Sequence, residues 1–480
     1  MRRSGRGGFD RSSRDRSDDF LPDGIGSFRV PVREENGSQA RLSCVPRRLQ
    51  SSCTRLYRDP VIVKLPFADD KLAIDLRGFR VRALAPSAPA GGDAGMLVSA
   101  ALDHPLTGPA LVDLVRGRGP VTVIVPDATR KAYLPAVLPV VIERLHDAGI
   151  DDGSITVLIA NGTHPKVGEE SVSSLVGPLP ASIRVVEHDS RDAGLVSLGY
   201  LREDLPLRLH PKAVECEFLI TVGTVRHHYF AGFGGGPKMV FPGVGGYEEI
   251  QANHSLVFDL SGDHAIRNPA CEPGFLVGNP VAEEIRRAAN HRPPDIAVCL
   301  VEGREGGVAW VGAGPWETAF ETAVDRVRMW FEVPKKGRFD LMVAGSGGNP
   351  TDSTLIQAHK GLDAACRFLK PGGEVLWAAS LGEGLGSEDM APFVDDPNPD
   401  SILAQLSARW VQYGHTTLRI LEKTSRFRIH LYSNIAPEVS TRLGFEPVLD
   451  PIAVLDQWRD RPGGAEVGVM AGGAVYPRTP

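Results

Sequence analysis

Residues 121–131 read VTVIVPDATRK, a run of apolar, mostly β-branched residues followed at once by a polar loop. The same order recurs in ITVLIANGTHPK at 155–166, in FLITVGTVRHHYF at 218–230 and in LMVAGSGGNPTD at 341–352. A short apolar run without alternation is typical of a strand buried on both faces. Because parallel strands end at the same edge of a sheet, we expect the polar loops to line one ligand-binding mouth.

Two series of strands and helices follow from this pattern, separated by the polar stretch VPKKGR at 333–338. The first has predicted strands at Val121–Val125, Ile155–Ile159, Ile183–Val186 and Phe218–Val222, with a helix at Leu134–Ala148. The second has predicted strands at Leu341–Ala344, Val375–Ala379 and Ile429–Tyr432, with a helix at Thr354–Leu369 that ends before PGG. We therefore predict an α/β fold of two domains, each with a mainly parallel sheet flanked by helices, and an active site in the cleft between them.

The predicted division is an N-terminal α/β domain at 55–334, a C-terminal α/β domain at 338–450, and a segment at 451–480 that packs back on the N-terminal domain. Residues 1–54 are rich in Arg, Ser and Gly, and we expect a disordered tail there. A weak basic contact arm is the alternative. No apolar segment follows the paired arginines, so the tail does not predict a secretory signal.

Composition excludes some functional classes. The chain has 480 residues with a net charge of −6, which favours neither a nucleic-acid partner nor an anionic membrane surface. No apolar run approaches the ~20 residues that a membrane-spanning helix needs. The six cysteines form no CxxC pair, so we expect reduced thiols, a cytoplasmic protein and no zinc knuckle.

The densest polar segment is HHYFAGFGGGPKMVFPGVGG, from His227 to Gly246. Its glycine run allows the backbone to approach a ligand closely, and Lys238 follows after one proline. The segment is not a Walker loop, because Met239 stands where a Ser or Thr is required. A purely structural turn is the alternative, but the histidine pair, glycines and lysine together favour a functional loop.

Other candidate residues are ambiguous when each is taken alone. His164 has the same pattern as a structural histidine, and His254 has that of a surface or capping residue on a helix. The pair in PDATRK is compatible with a simple loop salt bridge. Gln357 and Lys360 share a helix face that is usually solvated. Only their combination indicates a site.

Taken together, these motifs resemble the lactate racemase family over roughly residues 55 to 460. The matching motifs are Asp127-Ala128-Thr129-Arg130, Gly162-Thr163-His164, His228-Tyr229-Phe230-Ala231-Gly232 with Lys238, Asn253-His254, and Gln357-Ala358-His359-Lys360. Five motifs in the same order are far more specific than any one of them. Two positions depart from the family pattern, because Gly234 and Pro237 stand where a serine and a basic residue are common.

The resemblance implies a cofactor, the nickel-pincer nucleotide Ni(II)-pyridinium-3,5-bisthiocarboxylic acid mononucleotide, joined covalently to Lys238 through a thioamide. It also implies that His254 is the protein ligand to nickel. Roles for the other matched residues follow in the same way: His164 and His228 as the acid/base pair, Asp127, Ala128, Thr129 and Arg130 as the cofactor-binding loop, and Arg130, Gln357 and Lys360 as substrate-binding groups. Cofactor-biosynthesis proteins are the expected partners.

The activity that the resemblance implies is racemisation or epimerisation of a small 2-hydroxy acid. Such an acid has no easily lost α-proton, so hydride abstraction to a planar 2-oxo acid and hydride return is a chemically reasonable route. Two histidines with pKa values near neutrality suit proton transfer in both directions. The sequence does not indicate which 2-hydroxy acid is used.

Two other functions use the same residues. A zinc-dependent hydrolase or lyase needs His164, His228 and His254 around one metal with an open position. A non-catalytic protein that binds the nickel nucleotide needs Lys238 and His254 but no histidine pair. The presence of both acid/base candidates favours the enzyme.

Overall fold

The structure is a computed structural model, and it describes residues 54–57, 62–259, 266–334, 338–461, 466–472 and 475–478. The predicted disordered tail lies outside the described residues except for Thr54, which begins the first strand. In the described residues no helix is both long and apolar enough to pass through a bilayer.

The strands have the following bounds: β1 Thr54–Tyr57, β2 Ile62–Phe67, β3 Asp70–Asp75, β4 Arg80–Leu84, β5 Val121–Pro126, β6 Ile155–Ala160, β7 Arg184–Glu187, β8 Val196–Arg202, β9 Leu205–Leu209, β10 Phe218–Thr224, β11 His227–His228, β12 Gly232–Phe233, β13 Phe258–Asp259, β14 Ile266–Arg267, β15 Ile296–Glu302, β16 Val308–Gly314, β17 Glu332–Val333, β18 Phe339–Gly345, β19 Leu369–Ala378, β20 Arg428–Tyr432, β21 Glu446–Pro447, β22 Glu466–Met470 and β23 Tyr476–Pro477.

The helices have the following bounds: α1 Ala94–Asp103, α2 Leu111–Val115, α3 Leu134–Asp147, α4 Glu169–Val176, α5 Pro211–Val214, α6 Tyr247–Ser255, α7 Pro280–His291, α8 Trp316–Phe331, α9 Leu355–Cys366, α10 Ala391–Asp395, α11 Pro399–Ala408, α12 Gln412–Thr424, α13 Pro437–Arg442 and α14 Pro451–Arg459. Short 3₁₀ turns lie at Asp152–Ser154, Gly236–Met239 and Glu388–Met390.

The first sheet has the strand order β16-β15-β10-β5-β6-β7, parallel except for β16 at one edge. Every residue of β5 is buried, because its apolar run is covered on both faces. One face packs against α1 and α3, and the other packs against α8 and the Gly236–Met239 turn. The predicted α/β class is confirmed.

The second sheet has the order β1-β4-β22-β18-β19-β20-β21, parallel except between β1 and β4. This pairing differs from the predicted division, because β1 and β4 come from the 55–334 segment. It also places β22, from the 451–480 segment, between β4 and β18, while β23 pairs with β17. Parallel pairing allows long crossovers, so hydropathy patterns locate strands without identifying their partners.

The helix predicted at Thr354–Leu369 is shorter in the structure. Thr354 is its N-cap, with a side chain that accepts a hydrogen bond from the Gln357 amide, and α9 ends at Cys366. The PGG sequence lies inside β19 at an irregularity in the pairing with β18, rather than beyond a helix end.

Candidate active site

Three of the predicted strand-end loops meet at one edge of the first sheet. They follow β5, β6 and β10 and carry the Asp127–Arg130, Gly162–His164 and Arg226–His228 residues. The Gly162 amide donates to the Gly243 carbonyl at 2.9 Å, and the Gly243 amide donates to the Lys238 carbonyl at 2.9 Å. These bonds join the β6 loop to the turn that carries Lys238.

The fourth loop, at 345–352, has a different role from the one predicted. It follows β18 of the second sheet, and its fully buried Asp352 accepts hydrogen bonds from the amides of Ala68 and Ser380. Those bonds hold β2 and the end of β19 together. The expectation that four loops line one mouth is therefore wrong for this loop.

Glycines give the Lys238 turn its shape. Gly235 has φ +72°, and a Cβ there would lie 2.7 Å from the Thr224 carbonyl oxygen. Gly236 has φ +54°, and a Cβ there would lie 2.2 Å from the Phe320 ring. The turn thus packs tightly between β10 and α8, and any other residue at these positions would displace the lysine.

Lys238 is a cation without a carboxylate partner. Its Nζ lies 5.8 Å from the centre of the Phe230 ring, and no described carboxylate lies within ion-pair range of it. Burial, followed by the positive charge of Arg130, lowers the pKa of Lys238 to about 7. A lysine with a pKa lowered this far has an unprotonated, nucleophilic fraction at neutral pH that an ordinary lysine lacks.

His254 lies near the C-terminal end of α6 with one ring nitrogen available. Its Nδ1 donates to the Ile250 carbonyl at 2.7 Å, which leaves the Nε2 lone pair unused by that bond. Burial and the nearby Lys238 charge lower the pKa of His254 to about 3. A neutral imidazole with a free Nε2 is the form that binds a metal ion.

His164 forms a close hydrogen-bonded pair with Asp127 through its Nδ1. Burial alone would raise the pKa of Asp127, but the contact with His164 outweighs it and the pKa is lowered. Asp127 is therefore a carboxylate that only accepts, so Nδ1 of His164 carries the proton. Its other nitrogen, Nε2, is the site left for accepting a proton.

His228 and His227 occupy different environments. His228 Nδ1 accepts a hydrogen bond from the Ala231 amide at 3.1 Å, so its neutral form carries the proton on Nε2. Burial, together with the charges of Lys238 and Lys360, lowers the pKa of His228 well below the usual value. His227 instead bonds to buried Glu332 through Nε2 at 3.1 Å and stacks beside Tyr476. His228 is the residue that faces the site.

Arg130, Gln357 and Lys360 meet although they come from different sheets. The Gln357 Oε1 accepts from Lys360 Nζ at 2.6 Å and from Arg130 at 3.4 Å. Burial and nearby positive charges lower the pKa of Lys360 well below its usual value. The predicted alternative of a solvated helix face is wrong, since both α9 residues are half-buried and face this cation group.

Sequence reasoning missed Arg226 and underused Tyr229. Burial is the main cause that lowers the pKa values of Arg130 and Lys360, and the charge of Arg226 adds to it in both, so Arg226 belongs to the same cation group. The Tyr229 hydroxyl lies 3.4 Å from the Thr416 hydroxyl of α12, and Lys360 lies over its ring. Arg226 follows the buried strand β10, and this position could have predicted it as a site residue.

The described residues contain no group of three or more His, Cys, Asp or Glu side chains that could hold a metal ion. His164, His228 and His254 therefore do not converge on one centre as a zinc site requires. The geometry instead combines a buried nucleophilic lysine, one histidine with a free Nε2, and a group of cations suited to an anionic ligand. An α/β enzyme that binds a small anion is the class that this site defines.

Comparison with known proteins gives the family. Residues 71–264 match the lactate racemase N-terminal domain. Lactate racemase of Lactiplantibacillus plantarum is 30% identical over 338 residues, which cover 66% of this chain and 78% of that protein. Lactate racemase of Thermoanaerobacterium thermosaccharolyticum is 27% identical over 354 residues, or 72% and 81% of the two chains. The chain belongs to the lactate racemase family, which supports racemase activity.

Solved structures agree on the fold. The lactate racemase apoprotein from Thermoanaerobacterium thermosaccharolyticum superposes with a TM-score of 0.76 at 23% identity, covering 87% of this chain and all of that one. A protein from Thermotoga maritima superposes with a TM-score of 0.61 at 16% identity, covering 80% and 99%. The predicted family resemblance is confirmed.

Proposed function

We propose that this protein racemises or epimerises a 2-hydroxy acid, using a nickel-pincer nucleotide attached to Lys238. The proposal is supported by membership in the lactate racemase family and by the chemistry of the site. The observation that carries it is the opposite hydrogen bonding of Nδ1 in two histidines beside the cation group: His164 Nδ1 pairs with the Asp127 carboxylate, and His228 Nδ1 accepts from the Ala231 amide.

The residues fit the proposed group. A partly deprotonated Lys238 amine would suit condensation with a thiocarboxylic acid, which forms the thioamide and releases water. The unused Nε2 of His254 suits a nickel ion with soft sulfur ligands. Arg130 and the neighbouring Arg226 would supply positive charge for the nucleotide phosphate. Gly235 and Gly236 give the lysine turn the close backbone packing shown by their Cβ contacts.

When bound, the pyridinium of this group would supply an acceptor for the hydride on C2 of the substrate. The substrate hydroxyl must lose its proton as the 2-oxo acid forms, and His164 would accept it on Nε2. Return to the other enantiomer needs a proton on the oxygen, and His228 would donate it from Nε2. It would do so as an imidazolium, with Nδ1 protonated in place of its bond to the Ala231 amide, and would become neutral again. The roles exchange in the reverse direction, as racemisation requires.

Arg130 and Lys360 would hold the substrate carboxylate. Both already approach one oxygen atom, the Gln357 Oε1, and a carboxylate offers two oxygens to the same pair. Guanidinium and ammonium groups form strong charge-assisted hydrogen bonds to carboxylate. The acid would thereby be oriented with C2 toward the histidines.

The test uses protein produced together with the cofactor-building enzymes. We expect intact-mass analysis to show an adduct on the Lys238 peptide, and single-enantiomer 2-hydroxy acids to racemise. His164→Ala and His228→Ala should each lower kcat by at least about 100-fold, as expected for loss of a general acid or base, with the adduct retained. The matched control is His146→Ala, since that histidine pairs with Asp152 at the surface.

Three results would contradict the proposal. Unmodified Lys238 with stoichiometric bound zinc would favour the hydrolase or lyase. A full adduct without turnover on any 2-hydroxy acid would favour the non-catalytic nucleotide-binding protein. Undiminished racemisation in both histidine variants would reject the acid/base pair.

A further inference from the structure

A second group of charged residues lies where the segment after α6 meets α9 and α12. We call it the Glu272 cluster, and it consists of Glu272, Arg267, Asp363, Arg367, Arg419 and Lys423. None of these residues belongs to the site described above. The cluster is buried at its centre, where the Asp363 and Arg419 side chains are only 3% and 5% exposed.

Glu272 forms the part of the cluster that crosses between sequence regions. Its carboxylate makes close contacts with Arg267 on its own segment and with Arg367 after α9. It also accepts from Arg419 of α12 at 3.0 Å. The Glu272 carboxylate therefore links its own segment to the end of α9 and to α12, two helices that pack beside the second sheet.

Asp363 forms the other part of the cluster, within α9 and α12. It accepts from Arg419 at 2.8 Å, Arg367 at 2.9 Å and Lys423 at 2.7 Å. Although burial opposes ionisation, the charges of Arg367 and Lys423 lower the pKa of Asp363. These pairs join α9 to α12 without any help from Glu272.

The backbone around Glu272 is tied to the lysine side of the site. The Gly274 amide donates to the Gly232 carbonyl at 3.0 Å, and Asn279 Nδ2 donates to the Phe230 carbonyl at 2.8 Å. The Asn268 amide donates to the Val257 carbonyl, just beyond α6. Glu272 is therefore fixed relative to the turn that carries His228 and the helix that carries His254.

We propose that Glu272 is a positioning residue. It holds α9 in the position in which Gln357 contacts both Lys360 and Arg130. Asp363 lies one helical turn after Lys360, so displacement of the cluster moves the lysine with it. The inference rests on the proposed function for its kinetic consequence. Its structural consequence, the attachment of α9, is independent of any reaction.

Glu272→Gln separates positioning from folding. The amide keeps the size of the side chain but loses the charge that binds Arg367 and Arg419, while the Asp363 pairs remain within α9 and α12. The helices should thus stay folded and packed on each other but attach less firmly to the 266–279 segment.

The first measurement is amide hydrogen exchange on the unloaded full-length protein. We expect Glu272→Gln to raise exchange in α9 by at least about fivefold, with α3 and β5 unchanged, because only the attachment is weakened. Glu272→Asp, which keeps the charge, should restore most of the protection. The matched control is Glu317→Gln, which removes a carboxylate from an exposed pair with Arg286. Unchanged exchange in α9 would overturn the inference.

The second measurement is kinetic, on loaded protein. We expect KM for the 2-hydroxy acid to rise roughly tenfold in Glu272→Gln while kcat changes less than about threefold, since binding groups rather than the histidines are displaced. An unchanged KM in active protein would overturn the positioning role. If wild-type protein proves inactive, the proposed function fails, and the exchange result still decides the attachment of α9.

If Glu272→Gln does not fold, Arg367→Lys replaces it. A lysine keeps the cation near Asp363 but cannot hold both carboxylates as the guanidinium does. We expect the same rise in α9 exchange at smaller amplitude, and protection equal to wild type would count against the inference.

Discussion

Two buried groups of cations lie close together in this molecule, and they differ in their partners. In the Glu272 cluster, Arg367, Arg419 and Lys423 all contact carboxylates. In the site, Lys238 and Lys360 form no ion pair with a described carboxylate; Lys360 donates to the neutral Gln357 amide, and Lys238 lies near the Phe230 ring. Burial of a charge is unfavourable unless it is paired, so the two groups must serve different purposes.

The pKa shifts show the same contrast. Asp363 and Glu272 raise the pKa of Arg367 against the effect of burial, whereas burial and neighbouring cations lower the pKa values of Lys238 and Lys360. The paired group stabilises the fold as it stands. The unpaired group, with its lowered pKa values, has the properties expected of an anion-binding site.

The largest expected effect comes from breaking the paired group. Asp363→Asn keeps the shape of the side chain but leaves Arg419 and Lys423 buried with too little negative charge. We expect a loss of about 3–5 kcal/mol in the free energy of unfolding, measured by urea denaturation. Glu317→Gln, at an exposed pair, should change it by less than about 1 kcal/mol. Equal losses in the two variants would show that the cluster is not structural.

Removing a charge from the unpaired group should have the opposite effect and raise the free energy of unfolding. Lys238→Met removes a poorly solvated charge and keeps the chain length, so at pH 7 we expect the free energy of unfolding of the unloaded protein to rise by a few kcal/mol. The pKa of about 7 in the folded state lies below the unfolded value, so the unfolded chain binds more protons between pH 7 and 10. Wild-type stability should therefore rise relative to Lys238→Met across that range.

The comparison between wild type and Lys238→Met cancels the titration of groups that are unaffected by the substitution. Denaturation at pH 7, 8.5 and 10 should show the gain of the variant shrinking toward zero. A gain that is constant with pH, or a loss at pH 7, would mean that Lys238 has a partner in solution.

The sequence predicted the unpaired group better than the paired one. Lys238, His254, Arg130 and Lys360 lie in motifs with recognisable residue types and spacing, and the structure brings them together. Asp363 and Arg367 appear in sequence as an i,i+4 pair of the kind usually found on exposed helix faces. Only long-range packing of α12 and Glu272 buries them, and no local pattern encodes that packing.

The fold shows the same limit. Strand β5 was predicted almost to its last residue, because a fully apolar run has few other interpretations. The position of β22 between β4 and β18 was not predicted, since the three strands are far apart in sequence. The local residue pattern predicts where a strand lies, whereas the strands it pairs with depend on contacts between distant parts of the chain.

A smaller effect is expected when a carboxylate is added to the unpaired group, so that its cations gain a partner as those of the Glu272 cluster have. Gln357→Glu places a carboxylate where Oε1 already meets Lys360 and Arg130. We expect the unloaded protein to become more stable and KM for the hydroxy acid to rise roughly tenfold, because the new carboxylate competes for the same cations. Gln357→Met is the control, since it adds no charge. An unchanged KM in Gln357→Glu would place the substrate carboxylate elsewhere.

The smallest effect is expected at His227, which separates structural from functional histidines within one dipeptide. Its Nε2 bonds to buried Glu332, and its ring packs against Phe233 and Tyr476. His227→Asn keeps a hydrogen-bond donor for Glu332, so racemase turnover should stay within about threefold of wild type while thermal stability falls slightly. The same substitution at His228 removes the Nε2 proton beside the cation group. If both asparagine variants lost turnover equally, the assignment of His228 over His227 would have to be reversed or shared.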